Sequence, residues 1–144
     1  MGGPVEGRTP MAEIEVELRN VAETGAALGW AGAHTLVVDR PDGKAGGQGL
    51  GFNGGQLLAL AIGGCFCNDL RYVADAMGVA LEAIEVDVEL ELDGAPPLVR
   101  SAALRVKVTA GAGVDVGEVI RRAEADSTVS NSVRGGFAVT VTTG

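Results

Sequence analysis

The sequence predicts an α+β domain in which helices and antiparallel strands occupy separate stretches of the chain. Three patterns predict it: a long apolar helix over 54–77, a strand alternating apolar and acidic residues over 84–93, and a second alternating strand over 99–109. The two strands follow each other across the turn 94–97 with no helix between them, which is typical of an antiparallel hairpin. Helix and strand therefore do not alternate as they do in a parallel α/β fold.

Weaker patterns predict the elements on either side of the helix and the hairpin. Alternation of Ile14, Val16 and Leu18 with charged residues predicts a half-buried strand. Apolar residues at helical spacing after Asp115 predict an amphipathic helix with Asp115 as its N-cap. The remaining predicted elements are strands over 12–19, 26–30 and 34–39, a glycine-rich loop over 43–55, a helix over 114–125, a polar turn or short helix over 127–134, and a closing strand over 137–141.

Length and charge limit the classes of partner. The chain has 144 residues, a net charge of −8 and a pI near 4.5. This length suits one domain, which we assign to residues 12–144 after a flexible tail over 1–11. An acidic chain without a basic stripe repels phosphate backbones, so we expect no nucleic-acid partner. The apolar run 57–67 is about half the roughly 20 residues that cross a bilayer, so we expect no membrane partner.

Both cysteines, Cys65 and Cys67, lie in the long apolar helix. Residues two apart in a helix point about 200° apart, so we expect two reduced thiols and a cytoplasmic protein. Cys65 is about three turns inside the helix, beyond the field of its N-terminus, and Asp69 one turn on disfavours a thiolate. Cys65 is thus either a small core residue or a thiol activated by a cation from elsewhere, and Cys67 is a packing residue.

Metal and nucleotide sites are disfavoured. One histidine, His34, and a Cys-x-Cys pair do not complete a zinc centre, so we predict no metal site and no cofactor. Glycines 49, 51 and 54 match a dinucleotide-binding spacing. A nucleotide-binding domain needs a strand that runs directly into Gly49, whereas the predicted strand ends near Asp39.

Two segments resemble the OsmC/Ohr family, and the order of elements between them fits as well. The first is Asn53-x-x-Gln56-Leu57-Leu58-Ala59-(x)5-Cys65, which resembles that family's Asn-Pro-Glu-(Glu/Gln)-Leu-Leu…Ala-Cys segment. The second is Ser127-Thr128-Val129-Ser130-Asn131, which resembles its Cys-Pro-Val-Ser-Asn/Gln segment. The resemblance covers most of the chain from Met11 onward.

The resemblance implies an OsmC-like intertwined homodimer, with two long central helices wrapped by antiparallel sheets and active sites at the subunit interface. It implies reduction of organic hydroperoxides by a peroxidatic cysteine, with a resolving cysteine, an activating Arg and Glu, and an external dithiol that restores the thiols. Cys65 stands at the peroxidatic position and Ser127 at the resolving one. Gly54-Gly55 replaces Pro-Glu, and residues 21–39 offer no arginine.

We therefore expect a thiol-dependent hydroperoxide reductase of weak or divergent activity, with Cys65 as its catalytic residue. A small hydroperoxide, an external dithiol and a second copy of the chain are its expected partners. The alternative is a non-catalytic protein on the same fold that binds a small apolar or acyl ligand. The residues that we predict around a pocket are Asn53, Gln56, Cys67, Asn68, Ser130 and Asn131.

Overall fold

The computed structural model describes residues 12–144, and the tail predicted over 1–11 lies outside them. The described part contains five strands and three helices. The chain divides into two compact units, the first ending at Asn53 and the second beginning at Gly54. The elements are β1 Glu17–Asn20, β2 Ala27–Ala31, β3 His34–Val38, α1 Gly54–Met77, β4 Leu81–Asp93, β5 Leu98–Ala110, α2 Val116–Asp126 and α3 Thr128–Gly135.

The first unit contains a three-stranded antiparallel sheet with β2 between β1 and β3. The predictions of β2 and β3 agree with the structure to within one residue. The prediction of β1 was wrong in length and burial, because the strand begins at Glu17 and the alternating residues are exposed: Ile14 by 93% and Leu18 by 50%. Alternation gives the period of a strand, but burial also needs a covering layer, which the sequence alone does not reveal.

The glycine-rich loop after β3 is folded around one carboxylate. Asp39 is buried, and its carboxylate accepts backbone N–H groups from Arg40, Gln48 and Leu50 at 2.7, 3.1 and 3.0 Å. Gly51 packs so close to β3 that a Cβ there would lie 2.1 Å from a backbone oxygen, so only glycine fits. Residues 39–53 separate β3 from α1, which removes the nucleotide-binding interpretation because no strand runs into Gly49.

Helix α1 opens the second unit with the bounds that the sequence predicts. It ends because Gly78 has a left-handed φ of +70°, and the next N–H, that of Val79, closes the helix by donating to the Ala74 carbonyl at 2.9 Å. Gly63 is the point of closest approach to the hairpin, since a Cβ there would meet Val88 Cγ2 at 2.7 Å. Gly63 therefore lets α1 lie directly on β4.

By length and composition, α1 could cross a membrane, since it has 24 residues and a window of mean hydropathy 1.3. The core helix of a folded domain meets the same criterion, and 39% of that window is buried inside this chain. The observation is therefore weak evidence for a membrane span.

The hairpin of β4 and β5 and helix α2 complete the core of the second unit. The strands pair antiparallel as predicted, with Glu85 opposite Lys107 and Asp87 opposite Arg105. Asp115 caps α2, because its carboxylate accepts the backbone N–H of Glu118 at 3.1 Å. The core residues are Phe66, Leu70, Val73, Ala74, Leu81, Val119 and Ala123, with Met77, Val79, Ile84, Val86, Leu104, Val106, Val108, Ala110 and Ile120 packed against them.

The polar segment after α2 forms the short helix α3, whereas the closing strand predicted over 137–141 is not formed. Its apolar residues are exposed: Phe137 by 72%, Val139 by 80% and Val141 by 89%. A strand needs a hydrogen-bonding neighbour, and within the described residues of one chain this segment pairs with none.

Candidate functional site

Cys65 lies in the middle of α1, half-buried, where helices α1, α2 and α3 come together. Ile62, one turn before Cys65 on the same helix, and Phe66, the next residue, are both buried. Within residues 12–144, its sulfur makes hydrogen-bond contacts with Asp69 and Ser127. Cys65 is thus a thiol within a small polar group beside an aliphatic core.

Ser127 is the residue at which α2 ends and α3 begins, and it is fully buried. A serine in this position usually satisfies an N–H at the start of the following helix. Ser127 makes no such bond, and its hydroxyl instead donates to Cys65 Sγ at 3.9 Å. Two residues 62 positions apart in the sequence therefore meet at one sulfur atom.

Asp69 lies one turn after Cys65 on α1 and is only 8% exposed. Cys65 Sγ donates to Asp69 Oδ2 at 3.6 Å, so the sulfur accepts from Ser127 on one side and donates to a carboxylate on the other. Arg71 is the nearest arginine along the helix. Its Nη1 donates a hydrogen bond to the Leu81 carbonyl oxygen at 3.2 Å, which joins α1 to β4. Within the described chain, neither contact of the sulfur brings positive charge.

The corner between α2 and α3 is fixed by Asn131. Its side-chain Nδ2 donates to the Ala125 carbonyl at 3.0 Å, and its backbone N–H donates to the Ser127 carbonyl at 3.0 Å. Its Oδ1 accepts Nη1 of Arg134 at 2.7 Å. Asn131 therefore holds the backbone that places Ser127 at the sulfur, and its predicted place around a pocket stays a prediction.

A cavity of about 370 Å³ opens on the neighbouring turn of the same helices. Leu58 and Ile62 of α1 and Leu104 of β5 give it an aliphatic floor. Ser130, one of the residues that we predict around a pocket, is among its lining residues and lies one turn beyond Ser127. The other lining residues are Val99, Arg100, Ser101, Ala102, Val133 and Arg134.

The other predicted pocket residues lie elsewhere along the helix. Gln56 is exposed and nine residues before Cys65, which is about 14 Å along the helix axis. Asn68 is exposed, and Cys67 is a half-buried, unpaired thiol. Asn53 directly precedes α1 with a half-buried side chain. None of these four lines the cavity that contains Ser130, and their predicted roles stay predictions.

The sequence did not predict the two arginines that line the cavity, Arg100 and Arg134. Arg100 lies in β5 at a shift in the pairing register with β4. Arg134 lies in the last turn of α3. The spacing of Arg134 from Asn131 along a short helix was the available signal, whereas nothing in the sequence marks the irregularity at Arg100. No group of three or more His, Cys, Asp or Glu side chains in the described residues could hold a metal ion.

Comparison with known proteins places this geometry in a family. A family model described as OsmC-like protein matches residues 46–142, and no curated protein matches the sequence. Among solved structures, the chain is similar to an organic hydroperoxide resistance protein OsmC from Legionella pneumophila, with a TM-score of 0.66, 22% identity, and coverage of 88% of this chain and 93% of that one.

Two further solved structures have the same fold. An OsmC-like protein of unknown function from Vibrio cholerae has a TM-score of 0.72 and 12% identity, covering 85% of this chain and 94% of its own. The organic hydroperoxide resistance protein OhrB of Bacillus subtilis has a TM-score of 0.59 and 22% identity, covering 86% and 92%. The α+β fold predicted from the sequence is confirmed by these similarities.

Proposed function

The chain belongs to the OsmC-like protein family, and from this premise we propose that it is a thiol-dependent reductase of small organic hydroperoxides. Cys65 is its single reacting cysteine. The family resemblance supports this proposal, as do the neighbours named for hydroperoxide resistance. The observation that carries it is the buried hydroxyl of Ser127, which donates to the Cys65 sulfur instead of capping α3.

The proposed reaction forms and breaks one bond in each step. Cys65 Sγ loses its proton and attacks the terminal oxygen of R–O–OH, the O–O bond breaks, and the alkoxide leaves as an alcohol with that proton. The product on the protein is a sulfenic acid. One thiol of an external dithiol then displaces water to form a mixed disulfide, and its second thiol releases the Cys65 thiol and the oxidised dithiol.

The surroundings of the sulfur favour a slow reaction. The attacking species is the thiolate, which a neighbouring cation stabilises and a neighbouring carboxylate does not. Here the sulfur contacts the Asp69 carboxylate at 3.6 Å. Ser127 donates one hydrogen bond to the sulfur, which offsets this in part. We therefore propose weak activity, with no resolving cysteine at position 127.

The test is a steady-state assay with tert-butyl or cumene hydroperoxide and a dithiol. Cys65→Ser should abolish the protein-dependent rate, because it removes the nucleophile. Cys67→Ser is the matched control, since it removes the other half-buried thiol of the same helix and should retain the rate. Equal rates for wild type and Cys65→Ser would remove the catalytic proposal.

A second candidate, a protein that binds a small ligand without turnover, is favoured by the cavity. The cavity shares helix α1 with Cys65, and Ile62 in its floor is three residues before the cysteine. Its volume of about 370 Å³ lies within the range of small-molecule sites. Binding of an apolar or acyl ligand without consumption of hydroperoxide would favour this candidate over the reductase.

We also propose that the protein acts as a cytoplasmic homodimer. The two unpaired cysteines are compatible with a reducing compartment. Exposed apolar residues on α1 and in the segment 137–141 support a second copy as the partner, because their burial against it would stabilise a dimer.

A further inference from the structure

We propose that the cavity between α1, β5 and α3 binds an organic monocarboxylate, with two arginines holding the carboxylate and an aliphatic floor contacting its chain. The arginines are Arg100 and Arg134, and the floor is Leu58, Ile62 and Leu104. The inference rests on the proposed function in one respect, because it makes this cavity the binding site for the organic part of a ligand beside Cys65.

Arg100 lies at a β-bulge beside the cavity. In the hairpin, Glu91 pairs with Ser101 and Leu92 pairs with Val99, so Arg100 is the extra residue of β5 with no opposite partner. Such an insertion turns a side chain away from the regular alternation of the strand. Arg100 lines the cavity together with its neighbours in β5, Val99, Ser101 and Ala102.

Each arginine is oriented by one contact and keeps nitrogens for a ligand. Arg100 Nε donates to Asp93 Oδ1 at 2.5 Å, which leaves the two terminal nitrogens able to donate elsewhere. Arg134 Nη1 donates to Asn131 Oδ1 at 2.7 Å. The ion pair with Asp93 is solvent-exposed on both sides, so it is weak and competes little with a ligand carboxylate.

Charge distinguishes this cavity from the rest of the molecule. The chain has a net charge of −8, yet the cavity's lining residues, all in the described part, comprise two arginines and no acidic residue. A carboxylate is the group that planar guanidinium donors bind best. An aliphatic floor adjoining two cations therefore matches a ligand that is apolar along its chain and anionic at its end.

The cavity also adjoins the thiol through two helices. Ile62 is one turn before Cys65 on α1, and Ser130 is one turn after Ser127 on α3. Ser127 itself contacts the Cys65 sulfur. A ligand whose chain lies on Ile62 and Ser130 is therefore one helical turn from the two residues of the thiol contact.

The experiment is a calorimetric titration of the full chain with octanoate, at fixed salt and without hydroperoxide or reductant. Octanol and octylamine are the probes of matched chain length. Octanoate should bind at least tenfold more tightly than either, because the alcohol lacks the charge and the ammonium reverses it. Arg100→Gln and Arg134→Gln should each weaken octanoate binding about tenfold, since each removes one charge-assisted contact.

Arg121→Gln is the matched control. Arg121 is an exposed arginine of α2 that pairs with Glu118 and does not line the cavity, so its loss should leave octanoate binding unchanged. Circular dichroism of all three variants checks that the fold is retained.

Several results would overturn the inference: no octanoate binding, equal binding of octanoate and octanol, or wild-type affinity in both cavity variants. Octanoate affinity that falls as protein concentration rises would assign the cavity to a second copy of the chain instead. Because this titration contains no hydroperoxide, a failed peroxidase assay and a failed binding assay are separate results.

Discussion

The Cys65 sulfur lies between two buried polar side chains, one that donates a hydrogen bond to it and one that accepts a hydrogen bond from it. Ser127 donates a hydrogen bond to it and so stabilises negative charge on sulfur. Asp69 accepts a hydrogen bond from it and, when ionised, opposes that charge. The reactivity of the thiol therefore depends on the balance between one hydroxyl and one carboxylate, and each can be changed separately.

Asp69→Asn should make Cys65 more reactive. Asp69 Oδ2 lies 3.6 Å from Cys65 Sγ, and a negative charge at this distance opposes the attack of sulfur as a nucleophile. We expect severalfold faster alkylation of Cys65 by iodoacetamide at pH 7 when the neutral amide replaces the carboxylate. The measurement uses the Cys67→Ser background, in which Cys65 is the remaining thiol.

Asp75→Asn is the control for Asp69→Asn, because Asp75 is an exposed carboxylate on the same helix. It should leave the alkylation rate close to that of the parent. Slower alkylation in Asp69→Asn would contradict the prediction and would indicate that Asp69 accepts the thiol proton during the reaction.

Ser127→Cys should introduce a disulfide to Cys65. The two side-chain atoms are 3.9 Å apart, and a small side-chain rotation brings sulfur atoms in these positions to bonding distance. After one equivalent of hydroperoxide, the variant should lose two free thiols and weigh two hydrogen atoms less, by thiol titration and intact mass.

Ser130→Cys tests whether position matters for this disulfide. Ser130 lies one turn further along α3 and faces the cavity rather than the sulfur. It should keep its thiol under the same treatment. A disulfide to position 130 in place of 127 would show that the contact seen here is not the one that persists in solution.

Among the helices and strands, local sequence patterns predicted correctly those features that depend on one segment of the chain alone. Helix α1 begins at Gly54 and ends at Met77, as predicted, since its apolar composition and the left-handed Gly78 are local properties. The segment 137–141 has an equally clear alternation and forms no strand in the described chain. A strand depends on a partner, and its own residues do not say whether that partner is present.

The loop after β3 should depend on the ionisation of Asp39. Hydrogen bonds from the backbone N–H groups of Leu50, Gln48 and Arg40 hold the pKa of the Asp39 carboxyl below its ordinary value of 3.8. The fold therefore favours the carboxylate. This contribution to stability is complete above the unfolded pKa and is lost as pH falls through the lower pKa of the folded state.

Asp39→Asn should lower the melting temperature at pH 7 by several degrees, because one uncharged amide oxygen replaces a carboxylate that accepts three bonds. The difference from wild type should begin to shrink below about pH 4, where the carboxylate of the unfolded chain protonates, and should be lost as pH falls through the lower pKa of the folded state. Asp42→Asn, an exposed carboxylate of the same loop, is the control. A difference that persists unchanged at low pH would contradict the role of the charge.

For the whole molecule, the sequence indicated Cys65 and Ser127 as site residues, but it did not indicate most of the residues that line the neighbouring cavity. Cys65 and Ser127 were predicted from a resemblance of two segments, and the structure brings their side chains into contact. Arg100 was not predicted at the cavity, because the packing of β5 against α1 and α3 brings it there and it lies at a pairing irregularity that no sequence pattern marks. A local motif can be recognised from the sequence alone. The direction of a side chain at a β-bulge also depends on the register of both paired strands.

The exposed side of α1 is the face at which we expect two copies of the chain to meet. Leu60 is 52% exposed, and Gly64 one turn on is also exposed, with space for an added Cβ. A leucine beside a glycine on a helix surface allows another helix to approach closely, and apolar area buried there stabilises by about 25 cal/mol per Å². We expect light scattering after size exclusion to give twice the mass of one chain.

Leu60→Glu should shift the protein to the mass of one chain at micromolar concentration, because a dimer across this face would bury two unpaired carboxylates. Leu98→Glu is matched to it in residue type and in exposure, 54% against 52%, and lies at the far end of the hairpin. It should remain a dimer if α1 forms the interface. Dissociation by Leu98→Glu alone would move the interface to the hairpin, and a wild-type monomer would remove the proposed homodimer.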